Sequence, residues 1–319
     1  MAILRLSWTP ARCLRRHKRP GDSFTQIPTV STQPAPTLDE VCERALRLPC
    51  APALLPRLIM ALDSPDTTAD DIADLITVDP GLAASTLRLA NSAYFGTTMR
   101  AENLSQAVVR LGQQELFRLA ALALVSRWET GVGRGEAGDF SRHALCTALA
   151  AEALAETTER VSPQTAYTSG LLCDLGKLAL THTCEEFFPA IRAHASAKHC
   201  IWTDAETAVL GFNNVDVGAK LLQAWNFPPS LVAVAQFYLH PAEAPQDALA
   251  LIAHLQAAKF IATSFGPGVG EDGFLIELNT AFMLEWSFTP ELLEETMPIV
   301  HERASARLKD KLTHGKVSF

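Results

Sequence analysis

No CxxC pair occurs in this chain of 319 residues, and its seven cysteines are odd in number and scattered: Cys13, Cys42, Cys50, Cys146, Cys173, Cys184 and Cys200. This spacing excludes a zinc knuckle and a disulfide framework, and it predicts reduced thiols in a cytoplasmic protein. No run approaches the roughly 18 consecutive apolar residues that a membrane-spanning helix needs. The apolar residues near the start are too few and too interrupted for the core of a signal peptide. A GxSxG elbow and a Walker loop are both missing, so two common hydrolase signatures are absent. No series of alternating strands is visible, and the expected class is all-α. Positive charge is in short supply: 27 Lys and Arg stand against 35 Asp and Glu, a net charge of −8. That balance makes nucleic acid an unexpected partner.

The scarcity of positive charge is uneven. Residues 1–36 carry Arg5, Arg12, Arg15, Arg16, Lys18 and Arg19 against Asp22 alone, a local charge of +5 that leaves −13 on the remainder. Residues 20–37, PGDSFTQIPTVSTQPAPT, have the Pro, Ser and Thr content of a linker. A basic flexible tail is therefore expected, able to meet an acidic partner or a membrane surface.

Beyond the linker the chain has helical spacing almost throughout. Thr37 and Glu40 form a capping box ahead of an amphipathic run to Leu48. Ile72, Leu75 and Ile76 share a helical face, as do Leu82, Thr86 and Leu89. Residues 104–128 read as a long helix with a break at Gly112, and the Ala-rich run 140–160 is strongly helix-prone. Ser162-Pro163 and Thr289-Pro290 place a hydroxyl cap before a proline that suits the first helical turn, and Pro228-Pro229 opens the apolar run 231–238. Two stretches match GxGxxG, at Gly133, Gly135 and Gly138 and at Gly268, Gly270 and Gly273. Both come after helical segments where a dinucleotide site needs a strand, so they read as connectors. The resulting expectation is a helical lobe over 37–130, a second over 139–262 and a helical extension over 263–319.

Three features together carry a resemblance. They are Asp79-Pro80 with Leu82, the tetrad Leu89-Ala90-Asn91-Ser92, and Ala107 through Leu111-Gly112, succeeded by SGLLCDLGKLAL and GAKLLQAWNFP. In this order they resemble the HDOD family, bacterial regulatory output domains related to HD phosphohydrolases. The resemblance implies a multi-helical HD-like bundle in two packed lobes. Read from the residues, Asp79 caps a helix that Pro80 opens, and Asn91-Ser92 turn the chain at its end. Gly176, Lys177, Gly218, Trp225 and Pro228 lie within the later matching stretches, with Lys177 expected as a solvated helix-end residue.

HD hydrolases bind metal through an upstream His, a His-Asp pair and a distant Asp, with more His residues in two-metal members. The resemblance puts the upstream His at His143 and the pair at Cys173-Asp174. The further positions hold Asn214, Tyr238 and Leu239, and Ala257, one helical turn from His254. Only His143 and Asp174 survive, so no metal or other cofactor is expected. Cys173 could join them as a zinc ligand, but neighbours on a helix diverge by about 100° and would need a local distortion to converge. A cysteine in an apolar helix reads as packing. A buried Asp174 needs a partner, and His143 and Lys177 are the candidates. His182, His194 and His199 read as surface or packing residues, and Trp202, Trp225 and Trp286 as anchors of the core. Trp128 is expected to close the helix ahead of the first glycine-rich stretch.

The expected function is that of a non-catalytic regulatory module binding a signalling protein or a small ligand such as a nucleotide. No receiver, GGDEF or EAL-like segment is visible, so sensing or turnover is expected from another chain. The alternatives are a divergent metal-dependent phosphohydrolase or phosphodiesterase, and an adaptor using the basic tail.

Overall fold

A computed structural model describes residues 34–47, 54–64, 66–92, 100–129, 139–265 and 279–313. Most of the basic tail, both glycine-rich stretches and the Trp128 side chain lie outside them. The described residues are helical with no strand. The first helices are α1 (Leu38–Leu46), α2 (Leu54–Asp63), α3 (Ala69–Thr77), α4 (Pro80–Ala90) and α5 (Leu104–Glu129). Then come α6 (Asp139–Thr158), α7 (Pro163–Leu172), α8 (Leu175–Thr183), α9 (Phe188–Lys198) and α10 (Trp202–Leu210). The chain closes with α11 (Asn214–Ala224), α12 (Pro229–Phe237), α13 (Leu249–Thr263), α14 (Thr280–Glu285) and α15 (Pro290–Thr313).

Caps set most of the starts. Thr37 and Glu40 close the expected capping box, and Thr68 with Asp71 makes a second. Asp79 accepts from the Leu82 N–H at 3.0 Å while Pro80 occupies the first turn, where its missing N–H costs nothing. Asn91 ends α4 and does more than turn the chain. Its Oδ1 accepts from the Ala101 N–H at 2.7 Å, and its Nδ2 donates to the Ala101 carbonyl at 3.0 Å. The amide thus imitates a strand partner and pins the approach to α5, with Arg110 donating to the same Oδ1 at 3.1 Å. Ser92 lies in the same turn, its N–H reaching the Leu89 carbonyl at 3.0 Å.

α5 joins the two groups of helices. One side packs on α2, α3 and α4, the other on α6, α7 and α8. Gly112 breaks it as expected, at φ +73° and ψ 163°. Glu129 at its end accepts from the Phe140 N–H at 2.7 Å and the Ser141 N–H at 3.2 Å, neutralising orphan donors at the start of α6. Arg118 of α5 pairs with Glu152 of α6, which is 1% exposed, and Arg303 of α15 approaches Glu152 to 3.6 Å. α1, which sequence order groups with the first lobe, packs instead on α8 and α11.

The centre is α6 packed against α7 and α13, with α8 crossing α11 beside them. Small residues make these approaches close. A Cβ on Gly170 would stand 2.8 Å from the Ala148 backbone of α6. On Gly176 it would stand 1.8 Å from the Asn214 carbonyl oxygen and 2.7 Å from the Gly218 nitrogen. Gly176 and Gly218 are therefore facing contacts of one crossing. Gly176→Ala must force α8 and α11 apart, at a cost expected to reach or exceed about 3 kcal/mol. Gly112→Ala meets no atom within 4 Å and should cost only the strain of an extended backbone at positive φ, which glycine alone adopts readily, of about 1–3 kcal/mol. Urea denaturation of the two variants checks the order.

Candidate functional site

α7 stops at Leu172 and α8 starts at Leu175, so Cys173-Asp174 falls on a break between two helices. This is the local distortion that a convergent pair needs. Asp174 stands at the N-cap position of α8 yet makes no capping bond. Its carboxylate turns inward and is 2% exposed. Lys259 of α13, 0% exposed, donates from Nζ to Asp174 Oδ2 at 2.7 Å. Lys177 Nζ lies 3.5 Å from Oδ1, and His143 Nε2 of α6 lies 3.9 Å from Oδ2. The Lys259 ammonium also sits 5.1 Å from the centroid of the Tyr238 ring and 3.8 Å from Cys173 Sγ. Helices α6, α8 and α13 and the end of α12 thus converge on one buried ion pair.

The electrostatics follow from burial and from that pair. Burial would raise the Asp174 carboxyl, but Lys177 and Lys259 hold it far below the usual carboxylate range. Burial would lower Lys259, and Asp174 reverses this and keeps it charged. His143 has no such support. Burial and the Lys259 charge push it down to about 3 despite Asp174, so its imidazole is neutral. Burial and the neighbouring Asp174 push the Cys173 thiol up to about 12. Burial likewise raises the Tyr238 phenol. Among the described residues no group of three His, Cys, Asp or Glu side chains is arranged to hold a metal ion.

The HDOD domain profile matches residues 48–241, well over half of the chain. This chain belongs to the HDOD family. A crystal structure from Shewanella amazonensis SB2B, provisionally named a phosphohydrolase, shares 27% identity over 84% of this chain and 94% of its own, with a TM-score of 0.63. An HDOD domain protein of unknown function from Geobacter sulfurreducens aligns at 21% identity and a TM-score of 0.61, covering 86% of this chain and 94% of the other. Among curated proteins, an uncharacterized protein of Treponema pallidum (strain Nichols) is 26% identical over 230 residues, covering 70% of this chain. The match spans 44% of that relative's length.

Within this HDOD domain the positions singled out from sequence separate. His143, Cys173, Asp174 and Tyr238 come together, with Leu239 half-buried beside Tyr238. The expected His143–Asp174 hydrogen bond is replaced by the Lys259 bond, and His143 Nε2 is a buried atom without a hydrogen-bond partner. Lys177 is no solvated helix end: it is 9% exposed and sits in the first turn of α8 beside Asp174. Asn214 works elsewhere. Its Nδ2 and N–H both donate to Glu206 Oε2, at 2.6 and 2.8 Å, and Glu206 Oε1 accepts from Trp202 Nε1 at 2.8 Å. His254 also serves packing, with Nδ1 at 2.7 Å from the Ala250 carbonyl and Nε2 at 2.7 Å from Thr158 Oγ1. Ala257 is buried on α13, but the residue of that helix that reaches Asp174 is Lys259, two positions on. His182 and His194 are half-buried and His199 is exposed, outside the cluster. Trp202 and Trp225 are buried and Trp286 packs against the core from a half-buried position.

Sequence reasoning passes over Lys259, although LIAHLQAAKFIA carries the signal. A single cation in a helix that is apolar on every side must be paired when buried. Lys259→Met should cost about 3–5 kcal/mol, because it leaves the Asp174 carboxylate buried without its nearest counter-charge. Asp174→Asn with Lys259→Met should recover most of that loss. Urea denaturation of both single variants and the pair measures the coupling.

Proposed function

We propose that this HDOD domain is a non-catalytic regulatory module that binds a signalling protein or a small ligand such as a nucleotide. The single observation that carries the reading is the Lys259 ammonium 2.7 Å from Asp174. Asp174 is the carboxylate that the resemblance to HD phosphohydrolases makes a metal ligand. In this chain it already has a buried cation as its partner. A divalent ion on the same oxygen would stand against that ammonium in a medium that screens charge poorly. Nor do the other groups fit such an ion. Cys173 is held as a thiol, pushed up to about 12, where a zinc ligand must be a thiolate. His143 offers one neutral nitrogen, and the third and fourth donors that such an ion requires are missing from the described cluster. Hydrolysis through metal-activated water has no support in these residues.

A regulatory role agrees with membership in a family of output domains and with a helical body that offers surface for binding. No helix among the described residues is long and apolar enough to cross a membrane. The competing reading is a divergent phosphohydrolase, the activity provisionally named for the Shewanella relative. Elemental analysis of protein purified without chelator separates the two. Zinc, manganese and iron are expected far below one ion per chain, and nucleotide and cyclic-dinucleotide substrates should not turn over with these ions added. A stoichiometric ion and a turnover that both vanish in Asp174→Ala would establish the hydrolase instead.

A further inference from the structure

We propose that the basic segment 8–19 of this chain docks on the chain's own surface, in the acidic and apolar groove between α2 and α3. None of the helices that carry the Asp174 cluster lines this groove, so the two stand or fall separately.

The groove has a volume of about 320 Å³. Arg57 and Ala61 line it from α2, and Asp71, Asp74, Leu75 and Val78 from α3. The four α3 residues recur at helical spacing and form one stripe. Val78 is 74% exposed. Met60, which shares a face of α2 with Arg57 and Ala61, is 70% exposed. An occupant that covers both takes apolar surface out of water. The charge along this edge is one-sided: residues 63–79 hold six aspartates and no Lys or Arg. Asp71 and Asp79 serve helix caps, which leaves Asp66, Asp70 and Asp74 exposed. Against them the groove sets the single cation Arg57. The occupant that fits is therefore basic, with a few apolar side chains among its cations.

Residues 8–19, WTPARCLRRHKR, carry that composition. Arg12, Arg15, Arg16, Lys18 and Arg19 have no acid between them, and Trp8 and Leu14 are the apolar members. The reach is sufficient. Arg19 stands 15 positions before Pro34, where the described chain begins. That length spans up to about 50 Å, comparable with the breadth of a folded body of this size. Covalent attachment holds the segment at an effective concentration on the order of mM, so pairs that are individually weak suffice for docking. An unattached basic partner has no such advantage. Docked, the segment is withheld from acidic partners and anionic surfaces, and salt releases it.

Carbodiimide treatment of the full chain at low salt tests this, because it joins a lysine amine to a carboxylate where the two touch. Peptide mass spectrometry should find Lys18 in an amide with Asp66, Asp70 or Asp74. The yield should fall at least about threefold in roughly 0.5 M sodium chloride, where screening is strong. Trypsin supplies the second readout. It should cut after Arg15, Arg16 and Lys18 at least about threefold faster in Asp70→Asn with Asp74→Asn than in the natural chain. Val78→Ser should speed the same cuts. All three positions are exposed, so thermal midpoints should move by no more than about 2 °C, which separates undocking from damage to the fold. Absence of a Lys18 amide to these aspartates overturns the proposal, and so do tryptic rates equal in the natural chain and the variants. Amides that join heavy-isotope chains to light ones in a mixed sample place the segment on a second copy and overturn it as well.

Discussion

A carboxylate and an ammonium, both removed from water, meet at the centre of this domain, and much else is arranged around that contact. Asp174 has to be satisfied from the interior, because at 2% exposure it has almost no contact with water. Lys259 has to be satisfied in the same way. Taking each ion out of water costs several kcal/mol, which direct contact offsets only in good geometry. The contact at 2.7 Å provides that geometry, and the Tyr238 ring covers part of the remaining ammonium surface. Such a pair contributes little net stability over an apolar substitute, but it is severe on any arrangement that separates its members. It therefore fixes α8 against α13 more by forbidding alternatives than by adding stability.

The backbone that aims Asp174 depends on small residues. Two helices meet at Cys173-Asp174, and the second must cross α11 almost without side chains between the backbones. Gly176 and Gly218 supply that crossing, and Gly170 does the same where α7 lies on α6. The buried alanines of α6, among them Ala148, Ala150, Ala151 and Ala155, let α7 and α13 approach from two sides. His143 rides on that same helix. The position of the polar cluster is thus set by close apolar packing around it as well as by charge.

Much of this is legible in the residues. Capping boxes, the Asp79-Pro80 start, the break at Gly112 and the Pro228-Pro229 entry into α12 are local features, and local chemistry decides them. The gathering of His143, Cys173 and Asp174 is legible through resemblance, because a family pattern carries the three-dimensional proximity that spacing alone cannot. The partners are not legible. Asn214 reads only as a lost ligand, since its tie to Glu206 and Trp202 joins residues across a turn whose shape no local rule fixes. Lys177 looks like a helix-end cation because lysine is so often solvated. Lys259 escapes notice for a different reason. An alignment asks which expected donors are missing, and it does not ask which cation has arrived. Net charge in the buried cluster is the quantity that exposes it, since Asp174 without a metal leaves a negative charge to be balanced.

A tethered cation and an exchangeable one have different consequences for regulation. A metal can be lost, replaced or titrated, so a domain built around one can report metal supply. An ammonium on α13 has a local concentration set by the covalent chain, and it leaves only when the helix leaves. On the regulatory reading proposed above, the interior is therefore a constant, and contacts between helices outside it are where a signal would act. The contact between α5 and α6 is one of them. It carries Arg118 against Glu152 and, through Arg303, connects to α15. Glu152 is buried while Arg303 is 35% exposed on its side chain, so this network runs from the lobe contact to the surface. That network, which also includes Glu156, does not share a residue with the Asp174–Lys259 pair. Two of the buried carboxylates thus differ in setting: Asp174 is paired with the fully buried Lys259, and Glu152 is linked through Arg303 to the surface.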